Sequence, residues 1–230
     1  MEAIILAGGK AERLGDAAGG RPKALVEVAG KPLAAYQVGR LANVGVTRVI
    51  VSCAAGQGAL FEEELAGLGP EIVAAEEPER LGRGGGIKFA ARLRAEGGDL
   101  FALNGDELVD VDFAGLLAAH RAHDAFATIA VAQPKSQFGL VDVDDDDVVH
   151  GFREGGHVSF WVNCGNYVLS AEAIDRFPEK GDHESSTFPE LAAEGKLRAF
   201  RHAGLWLTVN TPKELRAAQE HVEAHPEWLT

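Results

Sequence analysis

The sequence predicts an α/β protein built on a mixed, mainly parallel sheet. Three observations carry that expectation. Short apolar runs alternate with amphipathic stretches through the first half, a glycine-rich turn follows the first run, and closely spaced β-branched runs dominate the second half. Strands and helices in strict alternation need crossover connections, and these place helices on both faces of a parallel sheet.

Residues 3–6 are apolar throughout and form the first expected strand, with a loop running from there to Lys23. Pro32, whose fixed φ suits a first helical turn, opens a helix through Asn43 with Leu33, Tyr36 and Leu41 near one face. A strand over 47–52, a helix over 59–68, a strand over 71–75, a helix over 87–96 and a strand over 100–103 follow. In the second half, 127–133 is an expected strand. Residues 139–143 and 148–152 are two more, joined by Asp144 to Asp147. Four aspartates invite a calcium reading, but between two apolar runs at hairpin spacing they fit a solvated turn. Residues 160–169 form a long expected strand and 187–194 a short helix, and 196–201 and 205–209 return to strand. Thr211, Pro212 and Glu214 then supply an N-cap, a proline at N1 and a glutamate at N3 for a terminal helix.

The 230 residues fit one large domain. With 22 Lys+Arg against 35 Asp+Glu, the net charge is −13. Such a field repels nucleic-acid backbones and anionic membranes, so neither is an expected partner. An anionic substrate must instead be held by a few local cations or a metal. Cys53 and Cys164 lie in apolar runs and offer neither a disulfide framework nor zinc spacing, which fits a reducing cytoplasm and small core residues. No apolar run reaches transmembrane length, and the chain starts directly into a strand. His120 and His123 lie one helical turn apart without a third ligand and are expected to be solvated.

Ligands of open α/β sheets bind beyond the carboxyl ends of the strands. The first such loop carries Leu6, Ala7, Gly8 and Gly9, then Arg13 and Lys23. Consecutive glycines let backbone N–H groups approach phosphate oxygens, Arg13 offers a planar fork, and Lys23 a point charge. Neither G-x-G-x-x-G nor a P-loop is present: Ala11 and the lack of Gly-Lys-Ser/Thr exclude them.

The string Leu6-Ala7-Gly8-Gly9 with Arg13-Leu14, then Pro22-Lys23 and Gly30-Lys31-Pro32, resembles the sugar-1-phosphate nucleotidyltransferase family. The resemblance continues through Leu81-Gly82-Arg83-Gly84-Gly85-Gly86, Leu103-Asn104-Gly105-Asp106, Phe138-Gly139 and Val162-Asn163-Cys164-Gly165-Asn166-Tyr167, spanning nearly the whole chain in order. Members resembling it most are guanylyltransferases for mannose or heptose phosphates. The resemblance implies a Rossmann-like (GT-A type) three-layer sandwich with a small β-rich insertion. It divides the chain into a nucleotide-binding half, 1–110, and a sugar-phosphate-binding half, 111–230. The implied reaction joins a nucleoside triphosphate, with GTP favoured, to a sugar-1-phosphate and releases pyrophosphate. The acceptor phosphate is already ionised at pH 7, so no general base is needed; positioning and charge neutralisation suffice.

The roles implied are these. Arg13 and Lys23 stabilise the leaving pyrophosphate, and Asp106, just past a buried strand, holds Mg²⁺ with Asn210 as a neutral second ligand. Leu6, Ala7, Gly8, Gly9, Gly82 and Asn104 line the nucleotide, and Glu77 reads the base, with Glu76 an equal candidate by position. A carboxylate accepts two parallel donors, and guanine offers N1–H and N2–H side by side. Gly139, Glu154 and Asn163 fall at the family's sugar-phosphate positions.

Two departures stand out. The family's Glu-Lys is Glu154-Gly155 here, leaving Arg153 or Lys135 as substitutes for the lysine. The family's second metal-binding aspartate is Thr208, in Trp206-Leu207-Thr208-Val209-Asn210-Thr211-Pro212. The Asn-Thr-Pro element also resembles cofactor guanylyl- and cytidylyltransferases, which keeps a non-sugar phosphate acceptor in view. The two missing groups keep a catalytically inert, nucleotide-sugar-binding regulatory subunit in view. The residues 15–20, rich in glycine, suggest a loop that closes over nucleotide. Self-association is left open, and a C-terminal β-helix domain has no room in 230 residues.

Overall fold

The computed structural model of the chain describes residues 1–136 and 138–228. The chain begins with β1 (Glu2–Leu6), a short antiparallel pair β2 (Glu27–Val28) and β3 (Lys31–Pro32), and helix α1 (Leu33–Asn43). Alternation follows with β4 (Arg48–Ala54), α2 (Gly58–Glu64), β5 (Glu71–Glu77), α3 (Gly82–Ala90) and β6 (Leu100–Asn104). After β7 (Glu107–Val109) come α4 (Phe113–Arg121), β8 (Ala127–Ala132), the hairpin β9 (Gly139–Val143) and β10 (Val149–Glu154), and β11 (Val162–Leu169). The chain closes with α5 (Ala171–Arg176), α6 (Thr187–Ala193), β12 (Leu197–Arg201), β13 (Trp206–Thr208) and α7 (Pro212–Ala224).

Seven strands form the main sheet in the order β12-β8-β11-β6-β1-β4-β5. Only β11 runs antiparallel to its neighbours, β6 and β8; the other pairings are parallel. The expected mixed, mainly parallel sheet is therefore observed. Alternation along β1 explains the layers. Ala3 and Ile5 face the core shared with α1, α2 and α4, whereas Ile4 faces the core shared with α3, α5 and α6. A third apolar cluster joins Leu14, Val28, Leu33 and Tyr36 to Leu108 and to Leu215 and Val222 of α7. It fastens the end of the chain to the loop after β1.

Several expectations need correction. The helix expected from Ile87 begins five residues earlier, at Gly82, because three buried glycines let it press against the sheet. An added Cβ on Gly86 would lie 2.8 Å from Glu77 Oε1 and 3.1 Å from Leu6 Cδ2. Pro32 is the residue before α1 and pairs with Glu27 in the small ribbon, so it is not at N1. Helix α5 had no counterpart in the sequence reading and α4 only the helical spacing of His120 and His123, although Asp112 and Ser170 cap the two from side-chain oxygens. His120 is buried, 2.9 Å through Nδ1 from the Thr128 hydroxyl, and not solvated; burial lowers its pKa, while Asp99 opposes the shift. His123 is exposed as expected. Residues 12–18 wind into 3-10 turns that bury Leu14 and Ala18. Asp144 to Asp147 are exposed in the hairpin turn, where Asp144 Oδ1 accepts the N–H groups of Asp146 and Val148.

Candidate functional site

The parallel strands end on one edge, and their loops are stitched together there. The Ala7 amide donates to the Ser52 carbonyl on β4, and the Gly105 amide donates to the Leu6 carbonyl at 2.9 Å. Gly105 has to be small: an added Cβ would sit 2.7 Å from the Leu6 oxygen. This close approach delivers Asp106, two residues past β6, beside the glycine loop.

Lys23, buried on a short 3-10 turn, donates from Nζ to Asp106 Oδ2 at 2.6 Å and also to Asn210 Oδ1. Arg13 Nη2 donates to the same Asn210 oxygen at 2.9 Å. The cap of α7 fixes Asn210: Glu214 Oε2 accepts from the amides of Asn210 and Thr211 at 2.8 and 2.9 Å, and the Thr211 hydroxyl accepts from the Glu214 amide. The Val209 amide donates to the Asp106 carbonyl at 2.9 Å. Three distant stretches of the chain thus bring two cations around two acceptor oxygens. Thr208 stands apart, its hydroxyl donating to Glu214 Oε1 at 3.2 Å and its backbone opposite Glu107.

A cleft of about 340 Å³ surrounds this cluster. Leu6, Ala7, Gly8, Gly9, Gly82 and Asn104 line it, with Arg13, Lys23, Glu77, Asp106 and Asn210. Lys10, Arg80 and Arg83 line it too, three cations not assigned a role from sequence. A neighbouring cavity of about 630 Å³ shares Gly8, Gly9 and Glu77 and opens towards Ala54, Ala55 and Gln57 beyond β4. The two together offer a smaller end dominated by cations and a wider end where Lys10, Arg21 and Arg80 are balanced by Glu12, Glu77 and Glu79.

Glu77 is buried rather than free at a strand end. Its Oε1 accepts from the Ser52 hydroxyl at 2.7 Å and its Oε2 from the Leu81 amide at 2.9 Å. Glu76 caps the α2 entry, accepting from the Gly56 and Gly58 amides, and those bonds hold its pKa low. Each carboxylate is therefore engaged within the protein.

The positions expected to bind the sugar phosphate lie outside the cleft lining. Gly139 and Glu154 face each other across the β9–β10 hairpin. Arg153 is paired with Asp142 there at 3.0 Å, and Lys135 lines a separate cavity of about 650 Å³ with Trp161, His202 and Trp206. Asn163 spends both amide hydrogens internally, on Tyr167 Oη at 2.8 Å and Glu184 Oε1 at 2.9 Å. Arg83 reaches the same carboxylate at 2.6 Å through Nη1 and forks onto Asp182.

Glu107 also escaped the sequence reading. It is buried, its oxygens facing Asn104 Nδ2 at 3.5 Å and Asn166 Nδ2 at 3.2 Å. Burial first, and then the neighbouring Asp106 charge, push its pKa well above the carboxylate range. Its place directly after Asp106 gave no sign of this, because burial depends on β13 pairing with β7. Cys53 and Cys164 are buried as expected, and burial pushes each thiol up to about 12. Among the described residues, no group of three His, Cys, Asp or Glu side chains is arranged to hold a metal ion, and no helix is long and apolar enough to cross a membrane.

Residues 2–225 match the family model described as nucleotidyl transferase. Mannose-1-phosphate guanyltransferase beta-A of Xenopus laevis is 32% identical, matching 100% of this chain and 68% of its own length. Mannose-1-phosphate guanylyltransferase of Mycobacterium tuberculosis is 34% identical over 93% of this chain and 62% of its own. The chain thus spans about two thirds of the length of these relatives. Among solved structures, HddC from Yersinia pseudotuberculosis superposes with a TM-score of 0.74 at 25% identity, covering 96% of this chain and 98% of that one.

Proposed function

From the premise that this chain belongs to the nucleotidyl transferase family, we propose that it transfers a nucleotidyl group, from GTP by preference, to a sugar-1-phosphate. The observation that carries the proposal is the meeting of Arg13 and Lys23 with Asp106 and Asn210 at the carboxyl ends of β1 and β6. The guanylyltransferase names of its relatives support GTP and an aldose-1-phosphate such as mannose-1-phosphate.

The chemistry needs little beyond that geometry. An acceptor phosphate oxygen attacks the α-phosphorus, the bond from that phosphorus to the bridging β-phosphate oxygen breaks, and its electron pair leaves with pyrophosphate. The glycine loop lets a triphosphate lie close to backbone N–H groups. Arg13 and Lys23 neutralise charge building on the departing oxygens.

The donor set suits a hard divalent cation. Asp106 Oδ2 and Asn210 Oδ1 both accept from the Lys23 ammonium, and a divalent cation would take these oxygens over from Lys23 and free its charge for the phosphate oxygens. Mg²⁺ keeps most of its ligands as water and phosphate oxygen, and one carboxylate with one carboxamide is a sufficient protein share. Bound there, it would neutralise phosphate charge and align the triphosphate.

The test crosses GTP, UTP, dTTP and CTP with a panel of sugar-1-phosphates, following pyrophosphate release. The expected result is fastest turnover with GTP, reduced on the order of a hundredfold or more in Asp106→Asn. Clear nucleotide binding without release from any pair would refute the reading and leave an inert binding subunit.

A further inference from the structure

Gly82 and Arg83 at the start of α3 line the cleft, and Arg83 shares the Glu184 carboxylate with Asn163, a position that the family resemblance assigns to the sugar phosphate. That helix end is not open to a phosphate, because the amides of Gly84 and Gly85 donate to the Gly181 carbonyl at 3.0 and 3.3 Å. The Gly181 amide in turn donates to the Leu81 carbonyl at 2.7 Å, zipping the 177–186 loop onto α3. His183 plugs the same loop into the core, stacked on Phe177 with ring centroids 4.7 Å apart.

On this fixed loop three donors converge on one oxygen. Glu184 Oε1 accepts from Arg83 Nη1 at 2.6 Å, Asn163 Nδ2 at 2.9 Å and the Tyr167 hydroxyl at 3.1 Å. Tyr167 is fully buried, so the carboxylate is anchored from the core side. The Glu184 side chain nevertheless keeps 28% of its surface exposed. Among the described residues its Oε2 has no hydrogen-bond partner. A carboxylate with one oxygen held by three donors and the other open is a preorganised acceptor. Its ligand has to bring neutral donors, because a phosphate would meet Asp182 and Glu184 around a single Arg83.

We propose that Glu184 is the specificity residue for the acceptor, its Oε2 accepting from a sugar hydroxyl, while Asn163 and Arg83 act as positioning residues that hold the carboxylate in place. Asn163 thus keeps a place on the acceptor side, but through Glu184, since both of its own donors are spent. The inference rests on the function proposed above and adds the group that distinguishes one sugar from another. A site built to receive a hydroxyl discriminates strongly against analogues that lack it.

The experiment compares kcat/KM for the best sugar-1-phosphate and its monodeoxy analogues, in the unaltered protein and in Glu184→Gln. In the unaltered protein, one analogue should lose about tenfold or more. In Glu184→Gln the parent sugar should lose a similar factor while that analogue loses no more than twofold further, with KM for GTP unchanged. Asn163→Ala should weaken the same discrimination and leave the GTP KM alone. If the two losses multiply for every analogue, Glu184 touches no hydroxyl and the inference is overturned. Glu184→Asp, which keeps the charge, serves the same cycle should Glu184→Gln fail to fold. Turnover of no sugar-1-phosphate by the unaltered protein would instead overturn the proposed function, so the two failures are distinguishable.

Discussion

At the scale of single residues, the charged groups separate into those that meet in the cleft and those that only hold the fold. Lys23 belongs to the first kind: its ammonium donates to Asp106 and Asn210 in the cleft. Lys23→Met should lower kcat on the order of a hundredfold, with KM for the acceptor within twofold, in steady-state pyrophosphate-release assays. His183 belongs to the second kind. It is fully buried among Phe177, Phe188 and Tyr167, and neither ring nitrogen has a partner among the described residues. Burial lowers its pKa to about 4; nearby Asp182 raises it and Arg83 lowers it. The unfolded state therefore binds a proton near pH 6.5 that the folded state refuses until about pH 4. Stability from this residue is complete above pH 6.5 and falls through that window, by ~3 kcal/mol. His183→Phe should remove this part of the pH dependence, measured as denaturant midpoints between pH 7 and pH 4.5. An unchanged slope would show that other groups dominate the acid limb.

At the scale of elements, local signals located most strands, and long-range packing decided what they missed. The apolar runs that became β1, β4, β6 and β11 were visible because both faces of each are covered, which leaves few polar interruptions. The start of α3 was not visible. Three consecutive glycines are poor helix formers, and only their close approach to Glu77, Leu6 and the 177–186 loop makes a helix the better outcome. The glycine loop, Arg13, Lys23, Asp106 and Asn210 were legible from their motifs. Glu184 was not, because its value comes from Tyr167 and Arg83 converging on it from distant positions. Glycine also gives a paired prediction. An added Cβ at Gly39 in α1 meets nothing within 4 Å, so Gly39→Ala should stabilise by roughly 0.5–1 kcal/mol through helix propensity. At Gly86 the same change pushes against Glu77 and Ser52 and should destabilise by about 1–3 kcal/mol despite that propensity. Thermal melts of the two variants should move in opposite directions.

At the scale of the whole molecule, the net charge of −13 contrasts with the five cations lining the cleft, Lys10, Arg13, Lys23, Arg80 and Arg83. On the proposed function, that local arrangement would hold substrate anions against the field of the rest. The expected division into a nucleotide half and an acceptor half does not correspond to two bodies that fold apart. Strand β6 of the first half pairs with β1 on one edge and, antiparallel, with β11 of the second half on the other. One apolar cluster runs from Ile5 and Phe101 to Phe113, Ala130 and Val168, and another ties Leu14 and Tyr36 to Leu215 and Val222. Cutting after residue 110 would expose the β11-facing edge of β6 and strip α7 from the loop that carries Arg13. Residues 1–110 expressed alone should therefore aggregate or remain unfolded, since a flat apolar edge recruits other chains. In the intact protein all three fluorescent tryptophans lie in the second half, Trp206 and Trp228 packed on Val109 and Tyr36 of the first, while far-ultraviolet circular dichroism reports on the whole chain. The two urea unfolding curves should superimpose, as they do for a cooperative domain. A fluorescence transition that ends before the dichroism transition begins would mean that the halves melt separately, and that the shared sheet couples them less than its pairing implies.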